Sequence, residues 1–414
     1  TGCLAHAEVM SEVATGNILM IRGFFGHNDG CKKAFMKRIP PLPLHPSVFS
    51  VALKQLGMGA QLTDIQAANR AMFEQQQYEQ QPHDLSVSPY CWLIQKTDTR
   101  SLYRQFNRLR GLRTVVAPHI NVHEWLDRSS PSYNKEIASA VFHYAARAEK
   151  EDRFEVCLAT REMHDAAWKY CHSSQLILDG TFGVCDRKML LFIAMGVDEQ
   201  GHGVPVAFFL FSAPSGNKKT DAGYNTEILQ KLLLRWKTAL DSADSRFKPG
   251  PEVSFTPKVA ITDTDLKERN ALVRIFPEIW LLICKFHLRQ SWRNHRARVL
   301  KGTSSLHSEI RSRLHKLEDH LIESLDHAEG MAAIERERAV MTSEVEPQDA
   351  ALAAGALEHL TYLTGYWMSE SLWQSWSAYG RRVAAERLGF EVSMVLTTTN
   401  HLESFNGVLK RKHL

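Results

Sequence analysis

The sequence predicts an α/β fold in which a mixed sheet is covered by helices and a long all-helical block is set into it. Three observations lead there. Apolar runs of strand length crowd residues 175–284. They change from three in succession to strands alternating with helices, and from about 288 to 396 the pattern is helical with no strand signal.

Taken in order, residues 1–31 form a short stretch rich in Gly and His with two cysteines, after which Pro40, Pro41, Pro43 and Pro46 punctuate a linker. From Val48 to about 150, apolar residues recur at helical spacing. Turn signals at Gly57-Met58-Gly59, Pro82 and Ser129-Ser130-Pro131 break this region into four or five short helices. Leu176-Ile177-Leu178, 189–197 and 204–211 then read as three consecutive strands separated by Gly and charged turns. A helix over 224–240, a strand at Val259-Ala260-Ile261, a helix over 266–276 and a strand over 279–284 complete the order βββαβαβ, and a last helix begins near Asn400. That order is the one found in an RNase H-like fold. The expected domains are a small module at 1–31, a helical region at 32–150, and a core at 151–414 that carries the helical insertion at about 288–396.

Bulk composition narrows the class. The 414 residues are 44% hydrophobic and 23% charged, ordinary globular values. The longest apolar stretches, 189–197 and 204–213, fall well short of the roughly 20 residues that cross a bilayer. Seven cysteines at irregular spacing argue for a reducing compartment, and the cytosol or nucleus fits. The start at Thr1-Gly2-Cys3 has neither a basic nor an apolar leader region, so it reads as a fragment rather than a signal peptide. The net charge of +4 says little before its distribution is read.

The chemistry-bearing signal is acidic. Asp179 directly follows the buried run Leu176-Ile177-Leu178, and Asp263 repeats the arrangement after Val259-Ala260-Ile261-Thr262. Two carboxylates would therefore emerge from one sheet edge if those strands are neighbours. At 4 Å two such charges repel by about 4 kcal/mol at an effective dielectric near 20, and a divalent cation reverses that sign. Oxygen-only donors suit Mg²⁺ or Mn²⁺, and phosphodiester cutting and joining uses two such ions. Glu403 is the candidate third ligand. It lies in Asn400-His401-Leu402-Glu403-Ser404-Phe405-Asn406-Gly407, where Leu402, Phe405 and Leu409 form an apolar stripe and Glu403, Asn406 and Lys410 share the adjoining polar face. Asp265, two residues beyond Asp263, reads instead as the start of a capping box, Asp265-Leu266-Lys267-Glu268.

Four segments in this order, Leu178-Asp179-Gly180-Thr181-Phe182, Ile261-Thr262-Asp263-Thr264-Asp265, Cys284-Lys285-Phe286-His287 and Thr399-Asn400-His401-Leu402-Glu403-Ser404-Phe405-Asn406, resemble the Mutator-like element transposases, relatives of the far-red-impaired-response transcription factors. The likeness covers roughly 154–414. It implies an RNase H-like catalytic core with a helical insertion before the last acid, a metal-binding triad of Asp179, Asp263 and Glu403, and a Cys284/His287 element that supports the active site or its DNA contacts. As a zinc site that element is incomplete, and a buried Cys beside a hydrogen-bonded His is the plain alternative. At the N-terminus, Cys3, His27 and Cys31 resemble ligands from the second half of a zinc finger, although the upstream Cys and the closing His-x-His of that pattern are missing.

Two basic surfaces fit a polyanionic partner. Lys285, Arg289, Arg293 and Arg296 recur at intervals of four, four and three, and residues 280–316 hold nine Lys or Arg against the single acid Glu309, with Trp292 among them as a stacking surface. Arg100, Arg104 and Arg108, continued by Arg110 and Arg113, form a second cluster without compensating acids. The resemblance thus implies a nuclear, metal-dependent DNA transposase acting as a homodimer on double-stranded DNA at terminal inverted repeats and targets. Two alternatives stay open: a domesticated DNA-binding regulator that keeps the fold without the reaction, and a nuclease acting on other nucleic acids.

Overall fold

In a computed structural model the chain divides into two compact units, Thr1–Ala117 and Pro118–Leu414. The residues described are 6–12, 17–24, 26, 28–29, 43–79, 81, 91–113, 116, 118–147, 149, 152–184, 189–214, 222–343 and 350–410.

The first unit opens with an antiparallel pair, β1 (His6–Ser11) and β2 (Ile18–Phe24). Cys3, His27 and Cys31 lie outside the described residues. Three helices follow: α1 (Pro46–Gly57), α2 (Leu62–Glu74) and α3 (Thr99–Leu109). Val48, Ala52 and Leu56 fall at helical spacing on one face of α1 and pack with Ile65, Trp92 and Leu102. The buried Asn69 fixes the loop across this core, because its amide donates to Tyr78 Oη and the Trp92 carbonyl while its oxygen accepts from the Ile94 amide.

The second unit begins with α4 (Pro118–Leu126) and α5 (Lys135–Ala140), and then departs from expectation. Where the apolar pattern predicts no strand before residue 175, the chain forms β3 (Val141–Ala145) and β4 (Glu155–Leu158). The reason is a buried charge. Glu155 stands in β4 where an apolar residue would advertise a strand, and it is neutralised by Lys231 Nζ and His143 Nε2, each 2.7 Å away. After α6 (Arg161–Ala166) and a π turn (Ala167–Cys171), the expected order appears: β5 (Gln175–Thr181), β6 (Met189–Val197), β7 (Gly203–Ser212), α7 (Thr226–Ser242), β8 (Val259–Thr262), α8 (Leu266–Ile275) and β9 (Trp280–Ile283).

These strands build one seven-stranded mixed sheet in the order β3-β4-β7-β6-β5-β8-β9. The pairs from β3 to β5 are antiparallel, and β5/β8 and β8/β9 are parallel. Side chains alternate across the pleat. Leu176, Leu178 and Ala260 enter the core beneath α7 and α8, which includes the fully buried Trp236. Ile177 and Ile261 face the other way.

The helical block comprises α9 (Lys285–Val299), α10 (Ser305–Ile322), α11 (His327–Ser343), α12 (Ala350–Tyr362), α13 (Glu370–Trp376) and α14 (Ala378–Leu388). Its core is held by Trp292, Trp367 and Trp376, with Trp292 edge-on to Trp367 at 6.0 Å and to Trp376 at 5.2 Å. Trp292 is therefore a packing residue, and the expectation of a stacking surface among the basic residues is corrected by its complete burial. Ala384, Ala385 and Leu388 of α14 lie on β8 and β9, and α15 (Asn400–Val408) closes the fold by burying Leu402 against Ile177 and Ile193.

Candidate metal centre

Strand register brings the first two acids together. Ile177 pairs with Ile261 in the parallel β5/β8 ladder, so Asp179, two residues further along β5, and Asp263, one residue past the end of β8, come together. Gly180 is needed beside them, because a Cβ there would come within 2.9 Å of the Phe192 ring. Its amide donates to Asp179 Oδ1 at 2.8 Å.

A third carboxylate completes the group, and it is not one the sequence pattern singled out. Oxygens of Asp179, Asp263 and Glu268 all lie within 4.8 Å of one another. Asp265 does cap α8, accepting from the Lys267 amide at 2.8 Å, but the capping box is only half formed. The Asp265 amide donates to Asp263 Oδ1 at 2.6 Å, which leaves Glu268 to turn inward. Glu268 is 1% exposed and its Oε1 has no hydrogen-bond partner. Little in the sequence marks it, since a Glu at the third position of a helix reads first as the closing residue of a capping box.

Electrostatics register the crowding. Burial, and then the neighbouring Asp263, push the Asp179 carboxyl up to about 7. Burial likewise raises Asp263, and burial followed by Asp263 and Asp179 raises Glu268 well above the carboxylate range. Arg269 is the buried cation nearest in sequence, and its guanidinium is committed to Ser375 Oγ at 2.6 Å.

Glu403 reaches the same edge from α15 but stands outside the tight trio. Its Oε1 is 3.3 Å from His287 Nε2 and its side chain is 48% exposed. Its charge still bears on Asp179. The Cys284 sulfur, with the charges of Asp179 and Asp263 adding to it, holds the His287 imidazole up at about 9 against the opposing effect of burial.

The Cys284/His287 element works as a brace. Fully buried Cys284 accepts from the Thr399 amide at 3.3 Å, and the Lys285 amide donates to the Thr397 carbonyl at 2.8 Å. Gln175, at the start of β5, ties down the same returning segment through the Met394 carbonyl and the Leu396 amide. These bonds set the start of α15, and hence the height at which Glu403 projects. Among the described residues Cys284 and His287 join no group of three metal-binding side chains. At the far end of α15, Lys410 Nζ donates to Thr181 Oγ1 at 2.6 Å, two residues beyond Asp179.

The basic surfaces fare differently from each other. Lys285 pairs with Glu323, Arg289 with Asp319 and Arg296 with Glu318, so three members of that stripe are paired with acids of α10 and the residue that follows it, whereas Arg293, exposed like Arg289, forms no ion pair among the described residues. Arg100, Arg104 and Arg108 lie along α3 and form no ion pair among the described residues, with Arg100 and Arg108 exposed and Arg104 on the same face.

A mixed sheet that gathers buried carboxylates, and oxygen donors alone, at one edge defines an α/β protein suited to divalent cations. Residues 175–291 match the family model of the MULE transposase domain. The matched segment contains Asp179, Asp263, Glu268, Cys284 and His287, whereas Glu403 lies beyond it. No curated protein matches the chain. A transposase domain implies DNA as the partner, and no helix among the described residues is long and apolar enough to cross a membrane.

Proposed function

We propose that the chain is a DDE-type DNA transposase whose core is RNase H-like and whose Asp179, Asp263 and Glu403 hold the ions for strand cleavage and strand transfer at transposon ends. The observation that carries this reading is the register of β5 against β8, which sets Asp179 beside Asp263 within the segment that matches the transposase domain.

The donor set fits Mg²⁺ or Mn²⁺. All the ligand atoms are carboxylate oxygens, those of Asp179 and Asp263 are largely buried, and burial and the charge of Asp263 raise the proton affinity of Asp179. When bound, a pair of such ions activates the attacking oxygen and neutralises the leaving one. The protein's own contribution is placement. Asp179 and Asp263 are fixed by the sheet, and His287 holds Glu403 at the exposed side, where a DNA strand arrives. Lys410, anchored at Thr181, sets a cation beside the path of the phosphate backbone. Arg100, Arg104 and Arg108 and the region before residue 150 bind duplex DNA, and Cys3, His27 and Cys31 contribute to a Zn²⁺ site. Nuclear location and a homodimer belong to the same reading.

The test is cleavage of DNA carrying cognate terminal repeats with Mg²⁺ or Mn²⁺. Asp263→Asn keeps DNA affinity and loses several kcal/mol of transition-state stabilisation, about a hundredfold or more in rate. Cutting by that variant at the wild-type rate removes the reading and leaves a DNA-binding regulator in its place.

A further inference from the structure

We infer that Glu268 is a metal ligand of the DNA-free protein, forming with Asp179 and Asp263 a buried three-carboxylate cation site that is complete before Glu403 takes part. The inference rests on the metal-dependent reading above and assigns to that centre a ligand from α8 that is distinct from Glu403.

Two independent observations point the same way. One is proximity: an oxygen from each of the three carboxylates lies within 4.8 Å of the other two. An octahedral ion with ligands at 2.0 to 2.1 Å holds neighbouring oxygens about 3 Å apart and opposite ones about 4 Å apart, so small side-chain rotations close the difference. The other is an unmet need. Glu268 is 1% exposed and contributes an oxygen to the group, and its Oε1 has no hydrogen-bond partner. A buried carboxyl oxygen left bare is costly, and proteins rarely keep one without a use.

The surroundings do not supply the missing partner. The charges acting most on Glu268 are Asp263, Asp179 and Asp265, with Arg269 opposing them. Arg269 directs its guanidinium to Ser375 Oγ and Thr262 Oγ1. The Tyr224 hydroxyl, which feels the same carboxylates, is also buried without a hydrogen-bond partner. His287 Nε2 is paired with Glu403, 3.3 Å away. A divalent cation answers the crowding of like charges and the orphaned oxygen together.

Glu403 differs in each respect. Its side chain is half exposed, it has a partner in His287, and it belongs to a helix fixed by the chain's return over 394–399. Glu268 therefore serves the resting site, and Glu403 completes the centre when a DNA strand lies against it.

The experiment is calorimetric titration of Mn²⁺ into the DNA-free full chain, with melting temperature followed in parallel. Wild type binds, Asp263→Asn does not, and Glu268→Gln binds about tenfold or more weakly, since removing one anionic ligand lowers affinity at an oxygen site. Without metal, Glu268→Gln melts at or above the wild-type temperature, which establishes that it folds. Glu268→Asp, which keeps a carboxylate on a shorter stem, falls between wild type and Glu268→Gln. Equal Mn²⁺ affinity in wild type, Glu268→Gln and Glu268→Asp, with Asp263→Asn still deficient, overturns the inference and leaves the metal-dependent reading intact. Failure of wild type to bind Mn²⁺ overturns both.

Discussion

At the residue scale, the buried carboxylates are the least comfortable groups in the fold, and their discomfort can be measured. Asp179 ionises near 3.8 in an unfolded chain and at about 7 in the folded one. Below about pH 4 both states hold the proton. As pH rises toward 7 the unfolded chain releases it first, so the metal-free protein loses stability over that window. A bound cation favours the ionised form and reverses the trend. The rise in melting temperature on saturating Mn²⁺ is therefore expected to be larger at pH 8 than at pH 5, and an equal or smaller rise at pH 8 contradicts this account. Sequence reading reached Asp179 and Asp263 because each directly follows an apolar strand, a local signal. It passed over Glu268 because inward rotation of a first-turn glutamate depends on Asp263 having already taken the amide of Asp265, a tertiary arrangement with no sequence signature.

At the scale of elements, the carboxylate edge depends on how the chain returns to it after the helical block. Cys284 and His287 stand at the junction of β9 and α9 and grip α15 at Thr399 and Glu403. His287→Ala is expected to lower DNA cleavage about 10- to 100-fold, the usual effect of losing a group that orients a ligand, while DNA affinity is retained. A fall in DNA binding of the same size would place His287 on the DNA instead. In α9 the expectation changes with the structure. Trp292→Ala should cost about 3 to 5 kcal/mol in stability, as a large core aromatic does, and chemical denaturation measures it directly. The run from β5 to β9 was readable because its strands are apolar on both faces and its turns are marked by Gly and charge. β3 and β4 were not, because the buried Glu155 depends for its charge balance on Lys231, 76 residues away in α7.

At the scale of the whole molecule, charge distribution matters more than the net +4. The stripe on α9 is largely consumed by Glu318, Asp319 and Glu323, whereas the arginine face of α3 is open. Replacing Arg100, Arg104 and Arg108 by Ala should lower the salt dependence of DNA binding by about 0.9 in log–log slope for each phosphate that is no longer neutralised. Replacing Arg289 should change the slope little, and filter binding across a salt series separates the two. The helical spacing of both arginine sets was visible in the sequence, but the partner helix that neutralises one of them was not, because α10 pairs with α9 only once the block has folded. The claim on which all of this depends is that carboxylates distant in the chain meet at one sheet edge to hold divalent cations. The most direct test is anomalous diffraction from crystals of the wild-type protein soaked in Mn²⁺. The account predicts a peak bonded to both Asp179 and Asp263, and density for Mn²⁺ only elsewhere on the molecule would contradict it.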